Sequence, residues 1–173
     1  MDGGRGAWLD DSVGAWFVIR TRSRHEKILS RDLYARGVAH FLPLIKVART
    51  YAGRNAVVEA PLFAGHLFVR GCAEQAKSAV GNRRIAQVVH VSDQDELDGE
   101  LRNLQLALNV DTPLHPSPFL SQGVRVEVRD GPLRGLQGVI ESTDQRERII
   151  LQVQVLGQAV SVEVDPTLVE VLK

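Results

Sequence analysis

The sequence predicts two domains: an α+β domain with helices packed on an antiparallel or mixed sheet, followed by a small all-β barrel. Three observations predict this fold class. Short apolar runs alternate with helix-forming stretches as far as residue 108. The stretch "NVDTPLHPSPF" at 109–119 then carries three prolines within six residues, a composition typical of a linker. After it, apolar and polar residues alternate with a period of two, and no helical stretch occurs.

The elements of the α+β domain follow from its apolar pattern. "WFVIR" (16–20) predicts a buried strand, and "RHEKILSRDLYARG" (24–37) predicts a helix that ends at Gly37. Ser92 at an N-cap position, followed by acidic residues, favours a last helix over 92–108. Between them we predict a hairpin built from 38–50 and 56–60, a strand at the end of 61–70, a helix over 73–80 and a strand over 85–91.

The period-two pattern defines the barrel. Val124, Val126 and Val128 alternate with charged residues, and the stretches 151–155 and 160–164 repeat the alternation. The proline-rich stretch separates this region from the α+β domain. The predicted division of the chain is a flexible tail (1–14), the α+β domain (15–109), a proline-rich linker (110–121) and the barrel (122–173).

Composition and spacing exclude several classes of protein. Cys72 is the only cysteine, so neither an internal disulfide nor a thiolate zinc site can form. No apolar run reaches the roughly 18 residues that a membrane span needs, and the N-terminus does not resemble a signal peptide. None of the five histidines has metal-ligand spacing, and no serine lies in a nucleophile-elbow context. We predict a cytoplasmic protein without membrane contact that is not an enzyme and needs no cofactor or metal.

The zero net charge conceals an uneven distribution. Residues 14–92 contain thirteen Lys or Arg and four Asp or Glu, whereas 93–111 contain one basic and six acidic residues. Local charge, rather than the total, sets the field that a charged partner experiences. The basic region therefore suits either a nucleic acid or an acidic protein surface. A solvated surface with uneven charge is the alternative.

A glycine-rich loop interrupts the first strand pattern of the barrel. In "VEVRDGPLRGLQGVIES" (126–142) the loop contains Gly131, Pro132, Gly135 and Gly138. Three glycines exceed the need of a turn and indicate a backbone that follows a fixed path or approaches another group closely. A strand, this loop and a second strand at the start of a C-terminal barrel resemble the KOW motif, whose glycines shape the first loop of an SH3-like barrel. An ordinary glycine-rich hairpin is the alternative.

The first domain carries a second resemblance. "WFVIRTRSRHEKI" (16–28) resembles the opening strand and helix of the NusG N-terminal domain. "FLPLIKVARTYAGRNAVVEAPLFAGHLFVR" (41–70) resembles its hairpin and the strand that follows. Together with the KOW-like barrel, the resemblance to the NusG family covers about 15–173. In length and style the chain is similar to the specialised RfaH-like or polysaccharide-operon antiterminators.

The resemblance implies a transcription elongation or antitermination factor. A monomer is the simplest expectation for its oligomeric state. In this family the N-terminal domain binds the clamp helices of RNA polymerase and suppresses pausing. The KOW barrel recruits other proteins, such as a ribosomal protein or a termination factor. The alternative function is that of a ribosome-associated or RNA-binding KOW protein that acts away from polymerase.

The same resemblance implies a pocket for the polymerase clamp helices. Matching the family motif places five residues there: Trp16, Arg20, Phe63, His66 and Phe68. Period two puts Trp16 and Arg20 on one face of their strand, and it puts His66 and Phe68 on one face of theirs. An apolar floor with a polar rim suits a docking helix. A role in the core is the alternative for both phenylalanines.

Basic residues of the first domain form a second predicted site. In specialised relatives, residues at corresponding positions contact the exposed non-template DNA strand. The resemblance implies this role for Arg22, Arg24, Arg83 and Arg84. Arginine can pair with phosphates and stack on unpaired bases. A solvated helix start is the alternative.

Overall fold

A computed structural model describes residues 13–80, 83–143 and 146–173. The chain divides into two compact units, with the division between Gln94 and Asp95. The sequence pattern places the domain boundary after residue 109, beyond the last helix. Apart from Val13 and Gly14, the predicted tail lies outside the described residues.

The first unit has the predicted α+β composition, with a four-stranded antiparallel sheet in the order β2-β5-β1-β6. A separate two-stranded sheet pairs β3 with β4. Helix α2 lies against β5 and β6. The elements are β1 (Ala15–Thr21), α1 (Glu26–Ala35), β2 (His40–Phe41), β3 (Leu44–Tyr51), β4 (Arg54–Pro61), β5 (His66–Gly71), α2 (Ala73–Val80) and β6 (Ile85–His90).

Strand β1 is buried on both faces. On one face Ile19 packs in a core with Leu29 and Leu33 of α1 and Leu67 of β5. On the other face Trp16 and Val18 are also buried. A strand covered on both sides contains a continuous apolar run instead of an alternation. This explains why "WFVI" has no polar position.

The predicted hairpin differs in one respect. The stretch 38–50 is not one strand but two, separated at Pro43. Strand β2 pairs with β5 in the main sheet, and β3 pairs with β4. Proline lacks a backbone N–H and cannot continue a hydrogen-bonded ladder, so the chain leaves one sheet there and enters the other.

Over its described residues, the second unit contains the last helix and six strands. The strands form one antiparallel sheet in the order β12-β8-β9-β10-β11-β7. The predicted stretches 124–128 and 160–164 lie in β8 and β11, whereas 151–155 ends in a 3-10 turn. The elements are α3 (Gln94–Asn109), β7 (His115–Ser117), β8 (Val124–Val128), β9 (Gln137–Thr143), β10 (Arg146–Val153), β11 (Gln158–Val164) and β12 (Val169–Val171), with 3-10 turns at Gln154–Leu156 and Pro166–Leu168.

Part of the predicted linker is a strand. His115–Ser117 form β7, which pairs with Ala159–Ser161 of β11. Because β7 is the last strand in the sheet order, Pro116 can lie in it without breaking a ladder between two neighbours. The proline content predicts a free connection, but prolines are also tolerated on edge strands.

Helix α3 is bonded to the sheet of the second unit. The side-chain oxygen of Asn103 accepts a hydrogen bond from the backbone N–H of Gln137 at 2.9 Å. The carboxylate of Glu100 accepts from the N–H of Gln154 at 3.0 and 3.2 Å. Helix α3 is therefore attached to the sheet of the second unit, whereas the described residues of 122–173, the predicted barrel, form strands and 3-10 turns.

A buried histidine lies in the first unit. His40 is 5% exposed, and its Nε2 lies 2.8 Å from the hydroxyl of Ser30. Its Nδ1 lies 2.9 Å from the carbonyl oxygen of Val38, which requires a proton on Nδ1. Nε2 of the neutral ring then accepts from the serine. Burial is the main influence, and it lowers the pKa of His40 below 6.5, against a smaller opposing effect of the Val38 carbonyl.

We expect His40 to make the fold less stable in mild acid. The unfolded chain binds a proton at His40 more readily than the folded chain, so this stability is present above pH 6.5 and is lost as the pH falls below that value. The test is urea unfolding between about pH 8 and about pH 5. His40→Gln should reduce the pH dependence, whereas His115→Gln, at an exposed position, should keep it. An unchanged dependence in His40→Gln would contradict the assignment.

Candidate functional site

One face of the sheet carries four of the five predicted polymerase-binding residues: Trp16, Arg20, His66 and Phe68. Phe63 lies in the turn before β5. Across β1 and β5, Trp16 lies opposite Arg70, Val18 opposite Phe68 and Arg20 opposite His66. This register confirms the faces predicted from the alternation. The face therefore runs from an apolar part at Trp16 and Phe68 to a polar end at Arg20 and His66.

The aromatic residues of this set are buried. Phe68 has no exposed surface, and Trp16 and Phe63 are each 2% exposed. The ring of Phe68 lies 6.5 Å from that of Phe41, its cross-strand partner. In this conformation these three side chains belong to the interior. They shape the face from beneath and offer no surface to a partner.

The polar end of the face is accessible. Arg20 is exposed and lies opposite both His66 and Gln87. The Nδ1 of His66 lies 3.0 Å from the carbonyl oxygen of Ala64, so Nδ1 carries the proton and Nε2 is left for another partner. An arginine beside an imidazole can bind a carboxylate on a docking helix.

Arg70 is not among the predicted site residues, yet it lies on the same face. Its guanidinium carbon is 5.4 Å from the centre of the Trp16 ring, a cation–π geometry. Its Nε donates to the carbonyl oxygen of Gly14 at 3.3 Å. The alternation along β5 places Arg70 with His66 and Phe68, so the signal is present in the sequence.

The four predicted nucleic-acid-binding arginines lie on two adjacent segments, and we call them the basic corner: Arg22, Arg24, Arg83 and Arg84. The backbone N–H of Arg22 donates to the carbonyl oxygen of Arg84 at 2.8 Å, which joins the segments. Arg22, Arg24 and Arg83 are exposed. Arg84 forms an ion pair with Asp32 of α1. Three exposed guanidinium groups are therefore available to an anionic partner.

A buried carboxylate positions the turn before β5. Glu26, in the first turn of α1, is buried, and its Oε1 accepts from the N–H of Gly65 at 2.6 Å. The carbonyl oxygen of Gly65 accepts from the N–H of Thr21 at 2.8 Å. Both backbone groups of Gly65 are thus fixed, which holds Phe63 and His66 in place beside the end of β1.

The glycines of the loop in the second unit serve two purposes. Gly131 and Gly135 have φ values of 83° and 87°, in the left-handed region that disfavours a side chain. At Gly138 the reason is space, since a Cβ atom would lie 2.5 Å from the backbone oxygen of Ile150. Pro132 is exposed on the same loop. The sequence prediction of a fixed path and a close approach is confirmed for this loop.

The described residues contain no cluster of three or more His, Cys, Asp or Glu side chains suited to a metal ion. Cys72 is an exposed free thiol. No helix in the described ranges has both the length and the apolar character for a membrane crossing.

Comparisons with known proteins identify the family of this chain. Residues 14–100, half of the chain, match the family described as "Transcription termination factor nusG". A relative from Borreliella burgdorferi, "Transcription termination/antitermination protein NusG", is 25% identical over 175 residues, which cover 87% of this chain and 95% of the relative. The chain therefore belongs to the NusG family, whose members are non-enzymatic transcription termination and antitermination factors.

Two solved structures are also similar. One is "Domain interaction in Thermotoga maritima NusG", with 18% identity, a TM-score of 0.46 and coverage of 92% of this chain and 97% of that one. The other is the MjSpt4:Spt5 complex, with 15% identity, a TM-score of 0.32 and coverage of 91% and 97%.

We expect alanine to destabilise the second unit at Gly135 and at Gly138 for different reasons. Gly135→Ala should cost about 1 kcal/mol because of its left-handed φ, and Gly138→Ala about 1–3 kcal/mol because of the steric clash. Asparagine tolerates the left-handed region. Gly135→Asn should therefore be more stable than Gly135→Ala, whereas Gly138→Asn should be no better than Gly138→Ala. Thermal unfolding followed by circular dichroism measures this, and recovery by asparagine at both positions would contradict the distinction.

Proposed function

We propose that this protein is a transcription elongation and antitermination factor that docks on the clamp helices of RNA polymerase through its first unit and suppresses pausing or termination. The family match over 14–100 carries the proposal, because it includes the whole four-stranded sheet and its polar end. The protein acts in the cytoplasm as a monomer, without cofactor, metal or membrane.

Arg20 and His66 make the direct contact with polymerase in this proposal. They are the accessible members of the predicted set, whereas Trp16, Phe63 and Phe68 are buried. An exposed arginine suits an acidic helix, and a charge at the rim of an interface mainly steers association and fixes register. The three aromatic residues contribute by holding the two strands in place.

The second unit recruits a partner, either a ribosomal protein or a termination factor. Its strand sequence and glycine-shaped loop support the assignment as an SH3-like KOW barrel in which Gly131, Pro132, Gly135 and Gly138 form the first loop. A ribosome-associated or RNA-binding KOW protein is the second candidate. The transcription factor is the favoured candidate because the family match lies mainly in the first unit. A KOW protein that acts on RNA alone does not need that unit.

Reversing the charge of Arg20 should weaken polymerase binding. We expect Arg20→Glu to reduce the affinity of the full chain for RNA polymerase from its own organism by about tenfold or more, equivalent to about 1.4 kcal/mol. Arg134→Glu makes the same change at an exposed position in the second unit and should bind like the wild type. Phe68→Ala is a poor probe because removing a buried phenylalanine costs about 3–5 kcal/mol of stability.

Two results would contradict this part of the proposal. If wild-type protein does not bind polymerase, the docking function is wrong. If the wild type binds and Arg20→Glu binds equally well, the function stands but the sheet face is the wrong surface.

The basic corner should bind the displaced non-template strand. On a transcription bubble with polymerase, Arg22→Ala combined with Arg83→Ala should weaken DNA binding and reduce the salt slope by about 0.7 for each phosphate that is no longer neutralised. Arg31→Ala, an exposed arginine on α1, is the control. Crosslinking of the protein to the single strand measures the interaction. Equal crosslinking in the double variant and the control would show that the basic corner does not bind the non-template strand.

A further inference from the structure

The hairpin of β3 and β4 is an exposed surface that the proposed function does not use. It forms its own two-stranded sheet, apart from the four-stranded sheet of the first unit. All residues from 48 to 57 are exposed. The hairpin carries two large exposed apolar or aromatic side chains, Tyr51 at 56% and Val57 at 70% exposure.

The tip of the hairpin is a well-defined turn. Ala52 and Gly53 have φ values of 47° and 77°, the left-handed pair of a type I′ turn that matches strand twist. One pair behind the tip, the hydroxyl of Thr50 donates to the side-chain oxygen of Asn55 at 2.8 Å. Residues flanking this turn are therefore presented in a fixed arrangement.

The register places an aromatic ring and two arginines on one face. Tyr51 pairs with Arg54, and Arg49 is two residues before Tyr51 on the same strand. Alternation brings these three to one side, which we call the tip face, about 7 Å long. The neighbouring pairs, Thr50 with Asn55 and Ala48 with Val57, point to the opposite side.

The tip face is basic as well as aromatic. Over β3 and β4 the only acidic residue is Glu59, which lies opposite Lys46 at the other end of the hairpin. Within the described residues, neither Arg49 nor Arg54 has an ion-pair partner. An exposed ring stacks on the face of a base, and guanidinium groups bind the adjoining phosphates. Charge and chemistry here complement an unpaired nucleic-acid strand.

We propose that the tip face binds single-stranded nucleic acid, with Tyr51 stacked on a base and Arg49 and Arg54 on the flanking phosphates. A ring and two guanidinium groups recognise base faces and phosphates, which DNA and RNA share. Binding therefore does not depend on the sugar. A duplex binds less well because its bases are already stacked on one another.

This surface is distinct from the basic corner. The hairpin is bonded to α1, close in sequence to Arg22 and Arg24, through the backbone oxygen of Glu59, which accepts a hydrogen bond from Lys27. Glu59 is five residues from Arg54, which corresponds to about 17 Å along a strand. The two surfaces can therefore be tested independently.

Fluorescence anisotropy of the full chain with a short labelled oligonucleotide of mixed sequence tests the proposal. Tyr51→Ala should weaken binding by about fivefold to a hundredfold, and Tyr51→Phe should bind like the wild type because the ring is retained. Arg49→Ala with Arg54→Ala should lower the salt slope by about 1.4, as expected for two single-strand phosphates. Val57→Thr, on the opposite face of the same hairpin, is the matched control.

Further measurements distinguish this site from the basic corner, from a duplex-binding site and from a protein-binding site. The effect of Tyr51→Ala should persist when Arg22 and Arg83 are also replaced by alanine. DNA and RNA strands should bind with affinities within about tenfold of each other. The proposal is overturned if Tyr51→Ala binds the single strand normally, if the duplex binds as tightly as the strand, or if one sugar is preferred by more than that factor. If Tyr51→Ala loses polymerase binding but keeps single-strand binding, the tip face binds a protein partner instead.

Discussion

Pairing of β1 on both of its edges is the constraint on which the first unit depends. The strand is hydrogen-bonded to β5 on one side and to β6 on the other, and its side chains from Trp16 to Ile19 are buried. A slip of one residue would exchange the two faces of the strand and bury Arg20. Both candidate surfaces follow from this register: the polar end of the sheet begins at the exposed Arg20, and the basic corner begins two residues later at Arg22.

The regular elements could be predicted because local pattern and burial agree in them. A strand covered on both faces appears as the apolar run "WFVI", and a half-covered strand such as β8 appears as an alternation. The errors arose where pairing between distant residues decides the outcome. Pro43 separates two strands that belong to different sheets, and Pro116 lies in an edge strand. Composition alone does not distinguish a proline that ends a strand from one that is tolerated at an edge.

The candidate site could be predicted in part for the same reason. The arginines of the basic corner follow from the family resemblance, but the backbone bond from Arg22 to Arg84 and the ion pair of Arg84 with Asp32 join residues far apart in sequence. A phenylalanine in a strand has the same sequence pattern whether it faces the core or a partner, so the burial of Phe68 needed the structure. Tyr51 lies between the two predicted strands 38–50 and 56–60, and its exposure at the hairpin tip needed the structure because it follows from the separation of two sheets.

The bonds from α3 to the second sheet have a consequence for the design of chimaeras from this chain. Asn103 and Glu100 accept hydrogen bonds from the backbone N–H groups of Gln137 and Gln154, so the helix and the sheet are bonded to each other. A chimaera spliced within the proline-rich segment would separate these groups and leave two backbone donors without their acceptors. A junction at Gln94 and Asp95 would transfer the helix with its sheet. A junction that keeps these bonds therefore lies before the helix and not at the prolines.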